Sequence, residues 1–126
     1  MTRTARAPEA VVRPLRVALA QIAPQLGDLE ANLERHRDLL AEARRDGAGL
    51  VVFPELGLTG YLLQDLAAEV AMGRDDPRLA ALAGATAGLS AVVSFVEESP
   101  DHRLFIAAAL LEDGSLRHIQ RKLFLP

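Results

Sequence analysis

The stretch LVVFPELGLTGY, residues 50–61, decides how this chain reads. Leu50 to Phe53 form a short apolar run with two β-branched valines, the pattern of a buried strand. Pro54 ends it, because proline has no N–H for a sheet ladder. Glu55 then stands at the strand's carboxyl end, and Gly57 and Gly60 permit a tight path beyond it. A lone glutamate after a strand is ordinarily a solvated loop residue or half of an ion pair. Here the stiff exit at Pro54 and the two glycines predict a carboxylate aimed inward. A carboxylate among apolar groups resists ionisation, the property a general base near neutrality needs.

Toward the N-terminus, LRVALAQI (15–22) is apolar on both alternating faces apart from Arg16 and Gln21, and predicts a buried strand. Pro24 and Gly27 punctuate a loop, and Asp28 is placed to cap a helix running to about Arg45. Leu29, Leu33, His36, Leu40 and Ala43 share one face of that helix, so His36 reads as a packed or half-buried histidine. Gly47 is a natural left-handed stop. The result is a strand–helix–strand unit, whose two strands are expected to be parallel neighbours with a right-handed crossover. Ligands in such sheets sit beyond the carboxyl ends of the strands, where Glu55 stands.

Toward the C-terminus, residues 61–72 predict a short helix, and Pro77 opens another over 78–89. Strands follow at 91–96 and 103–111, joined by the polar turn EESPDH. The second is apolar on both faces and therefore central. Asp113-Gly114 is a preferred two-residue hairpin turn, returning an antiparallel strand that ends at Lys122. The expected fold is α/β, a mixed sheet with helices on at least one face.

Bulk properties exclude several classes. The 126 residues make one domain or a piece of one, with 50% hydrophobic and 25% charged residues, an ordinary globular balance. A net charge of −3 offers no electrostatic footprint for nucleic acid. With no cysteine there are no disulfides or thiolate metal sites, and His36, His102 and His118 lack metal-ligand spacing. Gly57 and Gly60 do not form a phosphate loop, so neither metal nor cofactor is expected. Residues 1–14 read as a flexible leader without the apolar core of a secretory signal. No apolar run approaches bilayer length, and a cytoplasmic protein is expected.

Lys122 is the only lysine. A lysine at a strand end is usually on the surface, but the residues after it are apolar, which predicts an ammonium inside a site. A buried lysine requires a counter-charge, and Glu55 is the candidate although 67 positions separate the two. Tyr61 is either core packing or part of a substrate pocket. The final residues, LFLP, are apolar where termini are usually polar, so the domain is expected to continue beyond them.

Two segments carry a family resemblance. The run VALAQIAPQLGDLEANLERHRDLLAEARRDGAGLVVFPELGLTGY (17–61) is similar to the start of the nitrilase, or carbon–nitrogen hydrolase, superfamily. The shared features are the V-A-L-A-Q strand, the G-D-L-E-x-N helix start, V-F-P-E and T-G-Y. RKLFLP (121–126) resembles the family's R-K-x-x-L-P segment. The resemblance spans residues 15–126 and implies the N-terminal half of a four-layer α-β-β-α sandwich. It implies a glutamate–lysine–cysteine triad in which Glu55 is the general base and Lys122 stabilises the oxyanion, the cysteine lying beyond this chain. The implied activity is hydrolysis of non-peptide carbon–nitrogen bonds, amide to acid plus ammonia or amine, by an enzyme that is commonly a homo-oligomer. The implied partner is a small-molecule amide, with no nucleic acid or membrane, and the 126-residue chain alone is expected to be inactive. GLTGYLLQDL (57–66) also resembles the glutaminase domain of glutamine-dependent NAD synthetases, with Leu62 in place of a proline common there. A non-catalytic remnant or binding module is the reading from another class.

Overall fold

The computed structural model describes residues 12–123. Five strands, β1 (Val17–Leu19), β2 (Leu50–Val52), β3 (Ser90–Glu98), β4 (Leu104–Glu112) and β5 (Ser115–Arg121), form one sheet in sequential order. β1, β2 and β3 are parallel; β4 and β5 return antiparallel. The helices are α1 (Leu29–Arg45), α2 (Ala67–Val70) and α3 (Pro77–Gly84), with a 3₁₀ turn at Gln64–Leu66. This is the mixed α/β architecture expected.

Local signals place most boundaries. Asp28 Oδ1 accepts from the Ala31 N–H at 3.1 Å and caps α1, and Gly47 leaves it at φ 80°. Asp76 caps α3 through the Arg78 N–H at 2.9 Å, with Pro77 in the first turn. Asp113 and Gly114 both have positive φ, 46° and 84°, the geometry of a two-residue hairpin turn between twisted strands.

Three expected elements are corrected. The strand over 15–22 shrinks to three residues of β1, at the sheet edge, and is exposed rather than buried: Val17 is 45% and Leu19 72% exposed. The helix over 61–72 is broken into the 3₁₀ turn and the single turn of α2. β2 ends at Val52, so the edge of β3 beyond it needs other partners. Met72 is drawn into extended pairing there, its N–H donating to Val96 C=O and its C=O accepting from Glu98 N–H. α3 stops at Gly84 instead of continuing to Leu89. The Thr86 hydroxyl donates to Ala83 C=O and accepts from Gly114 N–H, and Arg44 of α1 donates to the carbonyls of Ala85 and Ala87. These side chains take up carbonyls that further helix would have used.

The core lies on one face of the sheet. Leu33 and Leu40 of α1 and Leu82 of α3 pack against Val51, Val93 and Phe95, all buried. Strand alternation sends Leu50, Val52, Val92 and Leu110 to the other face. A small cluster of Leu56, Leu63, Val70 and Val96 covers one end of that face. Over the rest, Val17 and Leu19 are exposed and Leu50, Val52, Val92 and Leu110 are only partly buried. An apolar sheet face of this kind drives association in water. The 126-residue chain is therefore expected to bind a hydrophobic dye strongly and to scatter light as an oligomer. A dye-silent monomer with a cooperative melt would show that the face is closed.

Of the expected leader over 1–14, residues 1–11 lie outside the described residues; Val12, Arg13 and Pro14 are exposed and irregular. Of the C-terminal LFLP, only Leu123 is described, and it is exposed. Among the described residues no helix is long and apolar enough to cross a membrane.

Candidate active site

Glu55 is placed by what precedes and follows it. Phe53 N–H donates to Val92 C=O at 3.0 Å, extending the β2–β3 ladder by one bond before Pro54 ends it. Leu56 then adopts φ 53°, a left-handed conformation uncommon for a non-glycine residue. The Leu56 N–H donates to Ser94 Oγ at 2.9 Å, and the Leu58 N–H to Ser94 C=O at 3.2 Å. The turn closes on itself through Gly57 N–H to Pro54 C=O and Gly60 N–H to Leu56 C=O.

Helix α1 supports this turn from the core side. The buried Asn32 amide donates to Leu58 C=O at 3.0 Å and Gln25 C=O at 2.8 Å, and its oxygen accepts from Gln25 N–H. His36 is completely buried and stacks on Phe53 with ring centroids 4.0 Å apart. Its Nδ1 is 2.7 Å from Asn32 C=O, which makes Nδ1 the protonated nitrogen, and Nε2 has no hydrogen-bond partner among the described residues. Burial pushes the His36 pKa down from 6.5 to about 4, against the opposing pull of that carbonyl. A side chain at 57 would meet Pro54 C=O at 3.1 Å and His36 Nε2 at 3.3 Å, so its neighbours would have to give way by a few tenths of an ångström. At Gly60 the obstacle is conformational as well: φ is 84°, and a Cβ would lie 3.1 Å from Leu26. Gly60→Ala is expected to cost about 1–2 kcal/mol, the usual penalty of a left-handed residue with a side chain, as measured by urea unfolding.

Lys122 arrives from the opposite edge of the sheet. Leu116 and Ile119 of β5 both pack against the core, although their odd spacing should send them to opposite faces. A register shift between Leu110 and Leu111 absorbs one residue, pairing Leu111 with Leu116 but Leu110 with His118. Alternation beyond this bulge turns Gln120 and Lys122 to the open face. The Lys122 N–H donates to Ile106 C=O at 2.8 Å.

There the two charged groups meet: Lys122 Nζ donates to Glu55 Oε1 at 2.7 Å. They border a pocket of about 350 Å³ on the open face, with Ser94, Ile106, Ala108 and Gln120 in its wall. The Lys122 pKa is raised, first by the hydrogen bond it donates to Glu55, then by the charge of that carboxylate, against a smaller opposing effect of desolvation. Two expectations are corrected here. The Glu55 side chain is 42% exposed and that of Lys122 56%, so neither charge is buried. The pocket opens on the uncovered sheet face, which leaves both in contact with solvent. Tyr61 is 65% exposed, outside the core. Among the described residues there is no group of three or more histidine, aspartate or glutamate side chains able to hold a metal ion.

Some polar residues escaped sequence reasoning. Glu97, assigned to a polar turn, is buried in β3, paired with Arg121 at 2.6 Å, while Arg121 also lies over the Phe105 ring. Ser94 and Asn32 were also missed. A single hydroxyl inside AVVSFV and a single amide on the apolar side of α1 were the available signals.

The carbon-nitrogen hydrolase family profile matches residues 16–126. The chain belongs to the carbon-nitrogen hydrolase family. A glutamine-dependent NAD(+) synthetase of Thermotoga maritima is 36% identical to this carbon-nitrogen hydrolase chain over 118 residues, covering 91% of it and 20% of the relative. An arylacetonitrilase of Aspergillus niger is 30% identical over 122 residues, covering 86% and 37%. Among solved structures, the glutamine-dependent NAD+ synthetase from Acinetobacter baumannii in complex with ADP superposes with TM-score 0.76 and 28% identity, over 89% of this chain and 21% of that one. The NitN amidase from Neterenkonia sp. AN1 gives 0.73 and 28%, over 90% and 46%. This carbon-nitrogen hydrolase chain thus spans about a fifth of the synthetase relatives and under half of the amidase.

Proposed function

We propose that Glu55 and Lys122 are the acid–base and oxyanion-stabilising members of an amide-hydrolysing centre whose thiol comes from polypeptide outside residues 1–126. The observation that carries this reading is the 2.7 Å contact between Lys122 Nζ and Glu55 Oε1 at the pocket on the open sheet face. Glu55 takes the proton of the cysteine thiol as sulfur attacks the amide carbon. Lys122 holds the oxygen on which negative charge gathers. Glu55 returns the proton to the leaving nitrogen as the C–N bond breaks. A water, deprotonated by Glu55, then cleaves the thioester and regenerates the thiol. Exposure of the pair on an uncovered face fits a site completed by further structure, and Tyr61, exposed at the end of the turn that carries Glu55, is a candidate substrate contact.

Two points refine the proposal. Glutamine as the amide donor is a second reading, favoured by similarity to the NAD(+) synthetases over 91% of this chain. The complete protein is proposed to be a cytoplasmic homo-oligomer that uses neither nucleic acid nor membrane.

The test is ammonia release from glutamine, simple amides and nitriles. The 126-residue chain should give none, for want of a nucleophile. A polypeptide extended along its own reading frame through the next cysteine should turn over one of these classes. Turnover by the 126-residue chain itself, abolished in Glu55→Gln, would overturn the thiol mechanism.

A further inference from the structure

We propose that Ser94 is a positioning residue for Glu55: its hydroxyl sets where the carboxylate stands relative to Lys122. For its catalytic meaning the inference rests on the role proposed for Glu55; its structural test does not.

The geometry singles out this one side chain. β2 has ended at Val52, so the regular β2–β3 ladder no longer supplies an acceptor for the N–H that follows Glu55. Leu56, the residue directly after Glu55, is buried and left-handed at φ 53°, and its N–H is taken by Ser94 Oγ at 2.9 Å. The backbone of Ser94 takes the next anchor, accepting from Leu58 N–H. With Pro54 stiff on one side and Leu56 pinned on the other, Glu55 has little backbone freedom left.

The same hydroxyl reaches the lysine's side of the site. Ser94 Oγ donates to Ala107 C=O at 3.0 Å. Ala107 is paired with Arg121, and the neighbouring Ile106 carbonyl accepts from Lys122 N–H at 2.8 Å. One hydroxyl therefore links the backbone that carries Glu55 to β4, the strand against which Arg121 and Lys122 pair. Ser94 is 6% exposed, so solvent cannot replace it readily at either partner.

A buried serine that only satisfies its own polar atoms would affect stability alone. Thr86 supplies that comparison. Its buried hydroxyl likewise bridges a carbonyl and an N–H, those of Ala83 and Gly114, beside the α3 terminus and the β4–β5 turn.

Lys122 provides the readout. As the only lysine, it can be followed by the pH dependence of its acylation, with peptide mapping to separate it from the α-amine. In the 126-residue chain, Glu55→Gln should lower the midpoint of that titration, because the anion that holds the ammonium is gone. Ser94→Ala should move it most of the way in the same direction and speed exchange of the Leu56 N–H about tenfold, the factor expected for one net hydrogen bond. Ser94→Thr, which keeps the hydroxyl, should stay at the wild-type midpoint. Thr86→Val should lower the melting temperature without moving Lys122. If Ser94→Ala loses its cooperative melt, Ser94→Cys replaces it, filling the space with a poorer hydrogen-bonding group and the same expected shift. A wild-type midpoint in the Ser94 variant, or an equal shift in Thr86→Val, would overturn the assignment. Failure of the catalytic reading would appear elsewhere, as undiminished turnover in Glu55→Gln of the thiol-containing polypeptide, and would leave the Lys122 shifts intact.

Discussion

Glu55→Gln, made in the polypeptide extended through its cysteine, is expected to lower kcat for amide hydrolysis by about 10²–10⁴, the usual contribution of a positioned general base. Glutamine keeps the size of the side chain and still accepts a hydrogen bond from Lys122, so the fold should survive. It cannot take the thiol proton or return it to the leaving nitrogen. Lys122→Met should cost about 10²–10³, the loss expected for one oxyanion donor. The double variant should be little worse than Glu55→Gln alone, because groups that act together on one transition state are not additive. Steady-state kinetics on each variant, with the melting temperature as a folding control, provide the check. Full turnover in Glu55→Gln would remove the carboxylate from the mechanism.

The second large effect is on stability, through His36. Its pKa is about 4 in the fold against 6.5 for the free side chain, so the unfolded chain binds its proton more readily. Stability from this source is complete above pH 6.5 and is lost as pH falls through 4. The total is roughly 3 kcal/mol, a large fraction of an ordinary domain's stability. The ring stacks on Phe53 and faces Gly57 beneath the turn that carries Glu55, so acid should loosen that turn first. His36→Phe keeps a stacked ring but cannot titrate. Urea unfolding of both proteins between pH 7 and pH 4 should show the wild type losing stability faster than the variant. Parallel pH curves would mean that the imidazole is solvated in the fold after all.

Much of the molecule could be read before folding. Asp28, Gly47 and Asp113-Gly114 mark boundaries because capping and turn chemistry act within a few residues. The face of α1 that carries Leu33, His36 and Leu40 follows from helical period alone. Glu55 was conspicuous because a strand, a proline and two glycines surround it. Other features were illegible for a physical reason. β1 looks buried in sequence, since its residues are apolar, but an edge position with an uncovered face leaves Leu19 in water. Ser94 looks like a neutral interruption of an apolar strand until the end of β2 leaves Leu56 N–H in need of an acceptor.

Local sequence thus determined most of the elements and the presence of a carboxylate at the end of β2, but not the length of β1, the break within 61–72 or the end of α3. Which side Lys122 faces was decided by tertiary structure. Leu116 and Ile119 cannot both reach the core on a regular strand, and burying both forces the bulge beside Leu110 and Leu111. Without that extra residue, alternation from Leu116 would turn Lys122 into the helix layer, away from Glu55. The choice depends on what Leu116 and Ile119 pack against, α3 from a distant part of the chain and β4 across the hairpin.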